Sequence, residues 1–191
     1  MTGPRLVLAS ASPRRLELLA RLGVVPDAVV ATDIDEKPQP AELPTVYARR
    51  MAKEKAEAAA TPGSIVVAAD TVVAAGRRIL PKADTEQLAH LCLDLLSGRR
   101  HRVHSAVTVV DAAGVARHRL SSTMVAFKRL SAQELDAYLA SGEWRGKAGG
   151  YAIQGRAEAL VRAIQGSHSG VMGLPLFETR ALLRTAGWRL D

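Results

Sequence analysis

Cysteine is nearly absent: Cys92 is the only one in 191 residues. That excludes an internal disulfide and a cysteine-rich metal site, and it fits a reducing compartment. Aromatic residues make up 4% of the chain, so Ala, Val and Leu must fill the core. No apolar run approaches the ~20 residues of a membrane span, so no membrane association is expected. The first residues lack a basic stretch followed by a hydrophobic core, which leads to the expectation of a cytoplasmic protein. Repeats and low-complexity tracts are missing too. Neither Gly-x-Gly-x-x-Gly nor a Gly-Lys-Ser/Thr loop occurs, which excludes the dinucleotide fingerprint and the Walker-type phosphate loop.

What is present describes a folded chain. Hydrophobic residues make up 48% and charged residues 24%. The length suits one α/β domain, or one domain with two lobes, so a single domain over 1–191 is expected. The net charge is +7, from 26 basic and 19 acidic residues. Such a surface suits a phosphate-bearing partner. The basic residues are scattered, aromatic interleaving is poor, and no DNA- or RNA-binding signature occurs, so no stable nucleic-acid complex is expected. The assembly state is left open, with a homodimer as one option.

The chain is organised around its first 23 residues. Residues 6–9 read as a buried strand. Ser10-Ala-Ser12 is a turn of small residues, with Ser12 as N-cap, Pro13 opening a helix and Gly23 stopping it. Arg14 and Arg15 then fall in the first helical turn, where the macrodipole already carries positive charge. Two cations there cost ~0.3–1 kcal/mol each when exposed. An anion held by the helix end, the serine hydroxyls and the arginine forks reverses that sign.

The remaining punctuation alternates helix and strand. A second strand is expected within 24–30 and a helix over 44–60 with Ala48, Met51, Ala52, Lys55 and Ala59 on one face. Residues 64–73 form a nearly continuous apolar run, as in a strand covered on both faces. A short return strand at 77–82 precedes a helix capped by Asp84 with Gln87, carrying Leu88, Leu91, Cys92, Leu95 and Leu96 and ended by Gly98. The basic residues 99–102 suggest a solvated sheet edge in preference to a phosphate contact, leading into a hairpin of 103–111 and 115–127. Ser131 and Glu134 form a capping box, and 175–186 reads as a final helix.

Four features carry chemistry. Asp33-Ile-Asp-Glu36 is an acidic cluster that offers carboxylates to a divalent cation, or simply a solvated turn. Lys55 sits in a packing stripe, from which it either snorkels or points into a cleft. Asp70 interrupts an interior strand, where a carboxylate is costly unless paired or bound to metal. Lys147-Ala-Gly-Gly-Tyr-Ala-Ile-Gln-Gly155 lets backbone approach a ligand closely, and the Gln154 amide can both donate to and accept from a base edge.

Leu8-Ala-Ser-Ala-Ser-Pro-Arg-Arg15, Ala69-Asp-Thr-Val-Val73, Lys82, and Gly149-Gly-Tyr-Ala-Ile-Gln-Gly155 with Gly173-Leu-Pro-Leu176 occur in that order. Together they resemble the Maf-like nucleoside triphosphate pyrophosphatases over nearly the whole chain. The resemblance implies an α/β fold similar to the inosine triphosphate pyrophosphatases: an elongated mixed sheet flanked by helices, with a nucleotide cleft between two lobes. It implies hydrolysis of a nucleoside triphosphate to monophosphate and pyrophosphate with a divalent cation, Mg²⁺ or Mn²⁺. Ser10, Arg14 and Arg15 match the phosphate-binding motif, and Lys55 and Lys82 match basic residues of the cleft. Asp70 matches the proton acceptor, and the Asp35-Glu36 pair matches a carboxylate position near the site. Arg14, Thr71 and Gln154 look like the specificity set of the branch acting on dTTP and UTP. The branch acting on 7-methyl-GTP carries other residues there. The chain departs from the family around Lys82, where Pro81 precedes and Ala83 follows.

The expected mechanism places the triphosphate on the helix end and the lysines, with a cation ligated by Asp70 or the Asp35-Glu36 pair. Asp70 then either takes a proton from the attacking water or orders the metal. The competing readings are a pyrophosphatase for another modified nucleotide, such as 7-methyl-GTP, and a nucleotide-binding regulator of cell division without turnover.

Overall fold

The structure, a computed structural model, describes residues 3–190. In chain order the elements are β1 (Arg5–Ala9), α1 (Pro13–Ala20), β2 (Ala28–Val30), α2 (Pro44–Ala59), β3 (Ser64–Ala75), β4 (Arg78–Leu80), β5 (Lys82–Ala83), α3 (Glu86–Leu96), β6 (Arg100–Val110), β7 (Ala116–Phe127), α4 (Ala132–Ala140), β8 (Lys147–Ala148), a 3-10 turn (Arg156–Leu160), β9 (Val161–Gln165), α5 (His168–Met172) and α6 (Leu176–Thr185). The main sheet runs β2-β1-β3-β6-β7-β9, with β4 attached to β3, and β5 pairs with β8 in a separate ribbon. It is a mixed sheet: β1 is parallel to β2 and β3, and β3, β6, β7 and β9 are successively antiparallel.

Helices cover both faces, which explains the unbroken apolar run of β3. Its odd-numbered residues Ile65, Val67, Ala69 and Val73 join the larger core with Leu18 and Leu19 of α1, Leu93 and Leu96 of α3, and Leu182 and Leu183 of α6. Its even-numbered residues face α2: Val66 and Ala68 pack with Ala56, and Val72 packs with Ala48, Met51 and Ala52. This is the period-two alternation of a strand, read on two buried faces. Cys92 lies in the larger core as a small apolar filler, and burial pushes its thiol pKa up.

Sheet register creates the opening in which the site lies. β1 pairs with Ser64 to Ala68 of β3 and then stops. β4 takes up the same edge only from Val73 to Ala75. Along 69–72 that edge of β3 is paired with neither strand, and the turn after β1 swings into α1. The crevice thus lies off the carboxyl end of a parallel strand, where open α/β sheets place their ligands.

Several expectations are corrected. The strand expected within 24–30 is confined to Ala28–Val30; Val24 is a core residue and Val25 is exposed. Thr85, not Asp84, caps α3, its hydroxyl accepting from the Leu88 N–H, so the expected Asp84/Gln87 box does not form. The basic segment 99–102 is a sheet edge only in part: Arg100 and His101 pair with β7 alone, Arg102 pairs with both β3 and β7, and His101 is buried. The strand β9 and the short α5 were not expected. The Ser131/Glu134 capping box is present in full.

Candidate active site

A cleft of about 360 Å³ opens where β1 gives way to α1. Its walls include Ser10, Arg14, Arg15, Glu36, Lys55, Asp70, Thr71, Lys82, Arg145, Lys147 and Gln154. Ser12 holds the N-cap position of α1 without a side-chain cap bond. The Ser10 hydroxyl instead accepts from the Ser12 N–H at 3.1 Å and from Arg15 Nη1 at 3.2 Å. The two arginines that are anomalous at a helix N-terminus are held by backbone carbonyls at the end of α5. Arg15 Nε donates to the Gly173 carbonyl at 2.9 Å, and Arg14 Nε donates to that of Met172 at 3.4 Å. Anchoring through Nε fixes each guanidinium plane; Arg15 commits Nη1 to Ser10, and both side chains line the cleft.

Opposite them lies an alternating row of charges. Lys55 comes from α2, where the stripe of Ala48, Met51 and Ala52 buries its stem. Its Nζ donates to Asp70 Oδ1 at 2.7 Å and lies 2.7 Å from Glu36 Oε1. Glu36 Oε2 in turn accepts from Lys82 Nζ at 2.6 Å. The order is Lys82, Glu36, Lys55, Asp70, from exposed to buried. Burial pushes the Glu36 carboxyl pKa up, but hydrogen bonds from Lys55 and Lys82 outweigh it and hold the group at about 2. Tyr47 donates its hydroxyl proton to the Glu36 carbonyl at 2.6 Å, and burial together with the Asp70 and Glu36 charges pushes its pKa far up.

Asp70 and Thr71 leave β3 on opposite faces, Asp70 toward α2 and Thr71 toward α5, yet both line the cleft because the strand edge is open there. Burial lowers the Arg15 pKa, and the strongest opposing influence is the Asp70 charge, so the guanidinium and the carboxylate share one space. Burial also lowers Arg14 and Lys147, and Arg14 adds like-charge repulsion on Lys147. Six cationic side chains against two carboxylates make this a site for a polyanion, which relieves both the burial and the repulsion.

The cleft brings together Ser10, Arg14, Arg15, Lys55, Asp70, Thr71, Lys82 and Gln154. Of the acidic cluster only Glu36 joins them. Asp35 is exposed and its Oδ1 accepts from the Lys37 N–H in a local turn, so it lines a neighbouring recess rather than the cleft. Among the described residues, no three His, Cys, Asp or Glu side chains converge as a metal cluster. Two cleft residues were not singled out from sequence, Arg145 and Lys147. Pairing of β8 with β5 sets Lys147 opposite Ala83, and only the lysine opening the glycine-rich stretch hinted at it. No helix among the described residues is long and apolar enough to cross a membrane.

The profile of the family described as Maf-like protein matches residues 5–186. A dTTP/UTP pyrophosphatase from Novosphingobium aromaticivorans is 63% identical over 186 residues, covering 96% of this chain and 92% of the relative. One from Zymomonas mobilis is 60% identical over 188 residues, covering 97% and 93%. One from Caulobacter vibrioides is 57% identical over 189 residues, covering 98% of each chain. Among solved structures, a nucleoside-triphosphatase/dITP/XTP pyrophosphatase from Mycobacterium abscessus aligns with a TM-score of 0.41 at 20% identity, over 67% of this chain and 75% of that one. With the family profile spanning nearly every residue and relatives this similar end to end, the chain belongs to the Maf-like family.

Proposed function

We propose that this protein is a single-domain nucleoside triphosphate pyrophosphatase of the cytoplasm that cleaves dTTP, UTP or a closely related pyrimidine nucleotide to the monophosphate and pyrophosphate. The observation that carries this reading is the placement of the Asp70 carboxylate, held by Lys55, in one cleft with Arg14 and Arg15. The relatives' dTTP/UTP pyrophosphatase activity supports the choice of nucleotide.

In this reading the α1 end with Ser10, Arg14 and Arg15, joined by Lys82 and Lys147, binds the triphosphate. Water attacks the α-phosphorus, and the α–β bridging oxygen leaves with pyrophosphate. Asp70 accepts the proton of the attacking water at a carboxylate oxygen, while Lys55 orients that carboxylate. Negative charge grows on the bridging and equatorial oxygens, where fixed cations stabilise the transition state most. Arg14, Thr71 and Gln154, all on the cleft wall, select the nucleoside.

The donor set fits a hard divalent cation. The Glu36 and Asp70 carboxylates flank the Lys55 ammonium, each 2.7 Å from Nζ, and each has a second oxygen that is not bonded to Lys55. A Mg²⁺-type ion takes one or two carboxylates and fills its shell with water and substrate phosphates. Asp70 and Glu36 are the residues to hold it, and when bound it supplies charge neutralisation on the phosphate oxygens.

The test is a panel of canonical and modified nucleotides with magnesium or manganese, with pyrophosphate and orthophosphate measured separately. The reading predicts pyrophosphate from UTP and dTTP. Orthophosphate as the product, a clear preference for 7-methyl-GTP, or binding without turnover would each overturn it.

A further inference from the structure

Ser105 is buried to 1% exposure on β6, directly behind Thr71 of the cleft wall. Its Oγ lies 2.6 Å from the Gly170 carbonyl, which can only accept, so the single serine hydroxyl proton goes there. Ser105 Oγ also lies 2.8 Å from Thr71 Oγ1. With its own proton committed, Ser105 must accept in that contact, and Thr71 must donate. The one Thr71 hydroxyl proton therefore points into the protein. What Thr71 Oγ1 turns toward the cleft is lone pairs only.

We propose that Ser105 is a positioning residue that fixes Thr71 as an acceptor-only wall, so that the nucleoside part of the substrate must present a hydrogen-bond donor at this point. The inference rests on the pyrophosphatase reading and deepens it. An acceptor-only oxygen repels phosphate oxygens, so the group that meets it is an N–H or O–H. The donors that UTP and dTTP share are the base imide N3–H and the sugar 3′-hydroxyl. Thr71 lines the cleft beside Gly173 and Arg15: a Cβ on Gly173 would lie 3.9 Å from Thr71 Oγ1 and 3.7 Å from Arg15 Nε. A site built to accept from a substrate N–H or O–H discriminates strongly against an analogue that cannot donate, because two acceptors are then left face to face.

The experiment compares kcat/KM for UTP, for CTP, whose ring N3 accepts where UTP donates, and for 3′-deoxy-3′-fluoro-UTP, which lacks the 3′-hydroxyl donor. The wild-type protein is expected to disfavour at least one of the two analogues by about tenfold or more. The analogue disfavoured identifies the donor as base or sugar. Ser105→Ala frees the Thr71 proton to turn outward, so that gap narrows about tenfold while pyrophosphate is still released from UTP. Thr71→Val, which leaves the Ser105–Gly170 bond in place, is expected to narrow it as well, and Thr71→Ser to restore it. A purely structural role for Ser105 would lower all three rates together and leave their ratios unchanged. Unchanged ratios in a folded Ser105→Ala protein overturn the inference, as do unchanged ratios in Thr71→Val should Ser105→Ala not fold. Failure of the wild-type protein to release pyrophosphate from UTP instead overturns the functional reading on which the inference rests.

Discussion

Lys55→Met isolates the energetics of the charged row. Lys55 is 6% exposed and Asp70 5%, so neither partner has ready access to water. In the variant the Asp70 and Glu36 oxygens that shared Lys55 Nζ, each at 2.7 Å from it, face one another with no cation between. Two such charges some 5 Å apart repel by ~3 kcal/mol at an effective dielectric of about 20. Removing one partner of a buried ion pair costs ~3–5 kcal/mol, and Glu36 can turn toward water, so the low end of that range, about 3 kcal/mol, is expected. Urea unfolding at pH 7 measures it directly. The double variant Lys55→Met/Asp70→Asn removes the buried like charge and should recover half or more of the loss, a coupling that a double-mutant cycle reads out. A loss under ~1 kcal/mol, or no recovery in the double variant, would refute the reasoning.

Burial holds the His101 imidazolium at about 4, well below the ~6.5 of the unfolded chain, with the Tyr151 hydroxyl 2.8 Å from Nε2. The unfolded chain takes up the proton first, so this group leaves stability unchanged above pH ~6.5 and removes up to ~3 kcal/mol as pH falls to 4. His101→Gln should flatten the acid limb of a urea-midpoint profile relative to wild type, and parallel profiles would contradict it. Arg15→Lys cannot hold the Gly173 carbonyl and present a fork together, so nucleotide KM should rise about tenfold or more. An unchanged KM in steady-state kinetics would remove Arg15 from phosphate binding. Gly149 has φ +68°, and an added Cβ would lie 2.8 Å from Val73 Cγ1. Gly149→Ala should therefore lower the thermal midpoint through a cost of ~1–3 kcal/mol, and a neutral substitution would show that the loop shifts freely.

Much of this was written locally. The strand–turn–helix at the N-terminus, the Ser131/Glu134 box and the doubly covered β3 each follow from spacing and punctuation over a few residues. So does Asp70, because a carboxylate within an interior strand calls for a partner. What was not legible depended on distance along the chain. Glu36 meets Lys82 46 positions away, and nothing in Asp33-Ile-Asp-Glu36 says that Glu36 turns inward while Asp35 caps a local turn. β9 carries Arg162 and Gln165 on a largely exposed strand, so no apolar alternation marks it. α5 spans five residues, too few for a helical period to show. The basic residues 99–102 suggest an edge because charge normally guards one; Arg100 and His101 do pair on one side only, with β7, while Arg102 pairs with β3 as well and His101 turns into the core.

The central claim, that Asp70 acts on the water while the cations opposite hold the triphosphate, is tested most directly by Asp70→Asn. Pyrophosphate release from UTP and the affinity for a non-hydrolysable UTP analogue are measured on the same folded preparation. The account predicts a fall in turnover of ~10²-fold or more with affinity changed only a few-fold. Turnover close to that of the wild-type protein would contradict it.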